Sequence, residues 1–202
     1  VLFCADNTKI VHDALGNLRK EIARRRGLIN DSEYRFVWVT DFPLFEYSET
    51  EKSYTSSHHP FTMPDLDDLD KFGESSPEKI RSRAYDVVLN GVEIGGGSIR
   101  IHREEIQNKV FRLLKLTEEE IESKFGFLMK ALSYGAPPHG GIALGFDRMM
   151  MFLLKTNSIR DVIAFPKTQK AGCLMTDAPS AVDTEQLDEL HVRVKASAQQ
   201  VE

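Results

Sequence analysis

Apolar residues first recur at helical spacing behind Asp6 and Asn7, either of which can cap a helix: Ile10, Val11, Ala14, Leu15, Leu18 and Ile22. The helix closes on Arg19, Lys20, Arg24, Arg25 and Arg26 before Gly27, where its dipole favours positive charge. Residues 34–47, YRFVWVTDFPLFEY, are dense in aromatic and β-branched side chains and predict a buried strand ending near Asp41 and Pro43. A polar, hairpin-like stretch (48–57) leads to HHPFTMP. The acidic run DLDDLDKFGESSPEK then reads as a surface loop with one helical turn. AYDVVLNGVEI places strand residues on both sides of Asn90-Gly91, a strong hairpin signal. Two helices follow, over about 103–114 and, behind a capping box of Thr117 and Glu120, on to about Tyr134. A glycine-bearing strand ending at Gly145, an apolar helix, a strand in SIRDVIAFPK and a polar tail beyond Ser180 complete the chain. Few helices, many strands and no βαβ alternation predict an α+β fold on an antiparallel sheet.

Composition narrows this picture. With 202 residues, 41% of them hydrophobic, the chain can bury a core of one or two domains. A net charge of -5 argues against a surface that grips nucleic acid throughout, though a local basic patch stays open. Cys4 and Cys173, far apart and without a CxxC pair, suggest a reducing compartment and offer no thiolate metal site. No apolar run reaches the ~20 residues of a membrane span, and VLFCADNTKI has neither the basic nor the apolar region of a signal peptide. A chain that starts without methionine on a strand-like VLFCA reads as a piece of something longer.

Candidate chemistry gathers at the hairpin. A two-residue turn pairs Leu89 with Val92, Val88 with Glu93 and Asp86 with Gly95, so Asp86 and Glu93 are diagonal neighbours, about 7–8 Å apart at the backbone. Two carboxylates so placed can share one hard cation, and Mg²⁺ is bound in this way together with substrate phosphates. The plainer alternative is an exposed strand glutamate beside a strand-start aspartate. Strict alternation would put Arg100 on the opposite face from Glu93. A bulge within Gly95-Gly96-Gly97 would bring it back, and bare glycine backbone would let a ligand approach. Arg100 can then clamp a carboxylate with two parallel hydrogen bonds, or be a partly exposed strand arginine.

In GGIALGFDR (140–148), Gly140, Gly141 and Gly145 offer a flat surface to a planar ring, and Arg148 can stack on it or meet phosphates. Neither a P-loop nor a dinucleotide GxGxxG pattern occurs. His58 and His59, being adjacent, point to opposite sides of an extended segment. One can face a ligand while the other packs, but the two do not make a zinc site.

Five blocks, VWVTDFPLFEY, HHPFTMP, AYDVVLNGVEIGGGSIRIH, YGAPPHGGIALGFDRMMM and SIRDVIAFPKTQ, together resemble the C-terminal half of the catalytic domain of bacterial-type aspartyl-tRNA synthetases. These are class II ligases, and GIALGFDR resembles the third signature motif of the class. The resemblance implies an incomplete class II sheet flanked by helices over 31–180. It also implies an exit segment of the bacterial insertion domain with a connecting helix over 1–30, and a C-terminal extension over 181–202. It gives Gly145, Phe146, Asp147 and Arg148 to ATP, and Glu93 to ATP and magnesium with Asp86 as partner. Arg100 falls to the aspartate side chain, and His58 to a mobile loop near the amino acid. Glu93 and Arg148 are the implied catalytic residues. The arginine-rich helix end is then either a solvated end or a tRNA-facing patch.

The anticodon-binding domain and the first two class II motifs are missing from the sequence, so about half an active site is expected. The resemblance implies a cytoplasmic, homodimeric, membrane-free parent that activates aspartate with ATP and transfers it to tRNA, this piece alone being inactive. Two alternatives stay open, a non-catalytic nucleotide- or partner-binding module and an asparagine-specific relative. An amide side chain would not need the guanidinium of Arg100.

Overall fold

The computed structural model describes residues 1–30 and 32–195. The chain divides into two compact units, Val1–Gly145 and Phe146–Glu202.

The first unit opens with helix α1 (Thr8–Arg25), whose start is fixed by the Asn7 side chain accepting from the Ile10 N–H. Its apolar stripe is present as expected but uncovered among the described residues: Ile10, Leu15, Leu18 and Ile22 are all exposed. The aromatic run does not make one buried strand. It makes β1 (Phe36–Val39), exposed along its length, and β2 (Phe45–Ser48), separated by Asp41 at φ 60°. Among the described residues β1 pairs with one neighbour, so half of its backbone and all four side chains stay open. β2 forms the predicted hairpin with β3 (Ser53–Ser56).

The acidic stretch is more ordered than a loop. Leu66, Leu69 and Phe72 lie three residues apart, and Asp65 caps the helix they form, α2 (Leu66–Phe72). Leu69 is buried, and the Asp68 carboxylate takes two guanidinium bonds from Arg81 (Nε at 2.6 Å, Nη2 at 3.2 Å), which ties α2 to the start of the next strand.

That strand, β4 (Ala84–Leu89), turns through Asn90 (φ 48°) and Gly91 (φ 83°) into β5 (Val92–Ile99). Two successive positive φ values are what a tight hairpin turn demands, and asparagine followed by glycine meets them at least steric cost. After α3 (Glu104–Leu113) and α4 (Glu118–Ser133, with its capping box formed), β6 (Gly140–Leu144) returns to the edge of the sheet. The sheet order is β1-β4-β5-β6, antiparallel throughout. A core of Leu44, Phe45, Met63, Leu69, Ile80, Ile101, Ile106, Val110 and Leu113 joins the β2 hairpin, α2 and α3.

The second unit holds α5 (Phe146–Leu153) and the short α6 (Thr184–Glu189). The strand expected in SIRDVIAFPK is absent. Its first residues form a 3-10 turn, Ile159–Asp161, because the Ser158 side chain accepts from the Arg160 N–H and caps it.

Candidate functional site

The β4–β5 register contains the irregularity that the three glycines predict, but one residue earlier. Val88 faces Glu93, then Val87 faces Gly95, so Ile94 is the extra residue and Asp86 faces Gly96 rather than Gly95. The consequence for parity is the expected one. Glu93, Gly96, Ser98 and Arg100 come to one side with Asp86, and all five line a depression of about 340 Å³ shared with His58, His59, Thr62 and Ala143.

The glycines have a reason beyond ligand access. A side chain on Gly95 would meet Ala143 O and Leu144 Cδ2 at 2.7 Å. On Gly97 it would overlap the carbonyl oxygen of Gly141 and stand 3.0 Å from Ile142 Cα. Both make room for the backbone of β6. Gly96 makes room for Asp86, whose Oδ1 occupies the space a β-carbon would take. The run therefore lets β6 approach on one side and seats a carboxylate on the other.

Arg100 sits between two backbone segments. Its N–H donates to His139 O at 2.9 Å, and residues 61–63 run alongside through Met63 N to Ile99 O and Ile101 N to Phe61 O, each 2.9 Å. Its guanidinium Nη1 lies 3.1 Å from His59 Nδ1. The resemblance points at His58, whose ring packs edge-on against Phe42 with centroids 5.0 Å apart, and which also lines the depression. The contact with His59 was not legible, since alternation shows only that one of two adjacent histidines faces inward. Burial, then the Arg100 charge, then His58, hold His59 below the ordinary histidine pKa, so its ring is neutral at pH 7.

The loop carrying these histidines is tied to helix α3 by one side-chain hydrogen bond and closed on itself by a backbone one. Buried Gln107 donates from Nε2 to Pro60 O at 2.8 Å, and Thr62 N donates to His59 O at 3.2 Å. The hydroxyls of Thr62 and Ser98, which line the depression, are buried and have no hydrogen-bond partner among the described residues.

Charge is thus divided along the depression: a guanidinium beside two imidazoles, and two carboxylates. Asp86 and Glu93 are a pair, and no cluster of three or more metal-ligating side chains occurs among the described residues. Gly145 ends the first unit, its N–H held by Ile94 O at 2.7 Å. Phe146, Asp147 and Arg148 form the exposed first turn of α5 in the second unit. No helix among the described residues is long and apolar enough to cross a membrane.

Residues 9–169 match the family described as tRNA synthetases class II (D, K and N). The chain is 63% identical over 195 residues to the aspartate–tRNA(Asp/Asn) ligase of Desulfatibacillum aliphaticivorans, covering 96% of this chain and 32% of that protein. It is 54% identical to the aspartate–tRNA ligase of Ruminiclostridium cellulolyticum, again over 96% of this chain and 32% of the relative. Among solved structures, the aspartyl-tRNA synthetase of Entamoeba histolytica superimposes with a TM-score of 0.50 at 26% identity, covering 82% of this chain and 27% of that one. The chain spans about a third of the length of the curated relatives it matches. An antiparallel sheet with flanking helices, an ordered set of family blocks and these relatives agree, and the chain belongs to the class II tRNA synthetases of the D, K and N group.

Proposed function

We propose that this chain supplies the aspartate- and ATP-facing half of an aspartyl-tRNA synthetase active site. The whole enzyme condenses aspartate with ATP to aspartyl-adenylate, releasing pyrophosphate, and passes the aspartyl group to tRNA, releasing AMP. One observation carries the reading. The bulge at Ile94 turns Glu93, Asp86 and Arg100 toward the same depression, a clamp for a carboxylate and a paired-carboxylate seat for a cation.

Arg100 presents a planar fork suited to the side-chain carboxylate of aspartate, with His58 on the same wall. Asp86 and Glu93 fit magnesium, which takes one or two carboxylates and fills its remaining positions with phosphate oxygens and water. When bound, magnesium neutralises phosphate charge. The protein's own share is to fix the carboxylates, and Gly96 does this for Asp86 by leaving its oxygen room. Gly145, Phe146, Asp147 and Arg148 are assigned to ATP, the arginine to the adenine face and phosphates. Catalysis of this kind rests on orientation and charge stabilisation more than on proton transfer. Family resemblance adds a cytoplasmic homodimer as the working form.

The test is aspartate-dependent ATP–pyrophosphate exchange by the full-length enzyme carrying this segment. Arg100→Lys keeps the charge but loses the fork, forfeiting one charge-assisted hydrogen bond of about 1.5–3 kcal/mol. kcat/KM for aspartate should fall on the order of ten- to a hundredfold with the KM for ATP nearly unchanged. Glu93→Gln should do the reverse. An Arg100→Lys enzyme that loses ATP affinity and spares aspartate would overturn the assignment.

A further inference from the structure

A guanidinium has five N–H donors, and a bidentate carboxylate uses two of them. The others decide whether the fork stands still. In this chain Nη1 of Arg100 meets His59 Nδ1 at 3.1 Å. The same nitrogen accepts the N–H of Phe61 at 3.2 Å. A ring nitrogen facing two donors carries no hydrogen, so His59 is the Nε2–H tautomer, and its protonated form does not fit the arrangement.

The two residues are also held in register by backbone. Thr62 and Arg100 form an antiparallel bridge, flanked by the Met63–Ile99 and Ile101–Phe61 hydrogen bonds, and Gln107 pins Pro60. His59 cannot follow Arg100 if the arginine swings, and so acts as a fixed stop. Resting on the proposed role of Arg100, we propose that His59 is a positioning residue: its unprotonated Nδ1 holds one arm of the Arg100 guanidinium so that the rest of the fork is presented to the aspartate carboxylate.

The consequence is a pH signature. A proton on Nδ1 removes the acceptor for both donors and sets an imidazolium against a guanidinium. His58 is adjacent, Asp86 and Glu93 line the same depression, and His139 lines the hollow on the other side of the His59–Arg100 pair. Burial, Arg100 and His58 together keep His59 neutral to below the usual histidine range. Aspartate recognition should therefore be intact at neutral pH and fail as pH falls through that lowered value, while ATP binding is spared.

The experiment compares His59→Ala and His59→Asn with wild type in the full-length enzyme, reading pyrophosphate exchange between roughly pH 5 and 8. Asparagine's Oδ1 can replace Nδ1 as acceptor and does not titrate. His59→Ala should raise the KM for aspartate about tenfold with the KM for ATP unchanged. His59→Asn should restore most of that loss and abolish the acid-side rise in the aspartate KM. The inference is overturned if His59→Ala leaves the aspartate KM unchanged, if His59→Asn rescues nothing, or if the acid limb persists in the asparagine variant. If His59→Ala fails to fold, the comparison of His59→Asn with wild type decides alone. Arg100→Lys run beside them separates the two readings: loss of aspartate affinity there with none in the His59 variants sinks only the positioning role.

Discussion

Gly96 and Gly97 are neighbours in one strand, yet adding a methyl group to each should have very unequal effects. At Gly97 the new carbon would overlap the Gly141 carbonyl oxygen and stand 2.9 Å from Gly141 C and 3.0 Å from Ile142 Cα, where ordinary contact begins at 3.4 Å. Those atoms are backbone of β6, and no side-chain torsion can relieve them. β5 and β6 must part along a ladder that runs from Gly95–Leu144 to Ile99–Gly140. Overpacking of this kind costs about 1–3 kcal/mol, and the absence of a flexible neighbour puts Gly97→Ala near 3. That corresponds to roughly 6–12 °C in Tm for a chain of this size. At Gly96 the new carbon would overlap only Asp86 Oδ1, with Cγ at 3.3 Å and the nearest backbone atom, Tyr85 O, at an ordinary 3.6 Å. The carboxylate can rotate away for about 0.5–1.5 kcal/mol, offset by about 0.4–1 kcal/mol from a stiffer unfolded chain. Gly96→Ala should therefore melt within about 4 °C of wild type. In the full-length enzyme it should require more magnesium for exchange, because Asp86 has moved. Thermal unfolding of the two variants side by side reads the first contrast, and a magnesium titration the second. Equal Tm losses in both variants, or a stable Gly97→Ala, would show that β6 does not need a glycine at 97.

Two further outcomes concern stability. Arg81 holds the Asp68 carboxyl below the usual carboxylate range, chiefly by its side-chain hydrogen bonds. The stability this pair gives is complete above about pH 4 and lost as pH falls through the lowered pKa; the gap between wild type and Asp68→Asn in thermal unfolding should close there, and a gap constant with pH would contradict it. Phe111 is fully buried and stacks on Phe125 with centroids 5.0 Å apart, so Phe111→Ala should cost about 3–5 kcal/mol in denaturant unfolding, and a loss under about 1 kcal/mol would show that the site collapses freely.

What the sequence made legible follows from locality. The Asn90-Gly91 turn, the Thr117–Glu120 capping box and the α1 cap are decided within four or five residues, and all stand where expected. The bulge was legible in its effect and not in its place. Glycines invite bulges, but here Gly95 and Gly97 are engaged in admitting β6, a partner that strand pattern alone does not reveal, so the extra residue is Ile94. Helix α2 could have been found from Asp65 and the spacing of Leu66, Leu69 and Phe72, had the acidic residues between them not suggested a loop. β1 looks like a buried strand because its side chains are apolar. Its burial depends on what lies against it, which no residue of its own reports. His59 was hidden for the same reason: its partner Arg100 is distant in sequence and meets it only in three dimensions.

One depression is proposed to hold the aspartate side chain at Arg100 and the magnesium of ATP at Asp86 and Glu93. The most direct measurement is a crystal structure of the full-length enzyme with magnesium, aspartate and a non-hydrolysable ATP analogue. The aspartate side-chain carboxylate should lie within about 3 Å of two Arg100 nitrogens, and a magnesium ion about 2.1 Å from a carboxylate oxygen of Glu93 or Asp86. An aspartate bound with its side chain away from Arg100, or magnesium held by neither carboxylate, would contradict it.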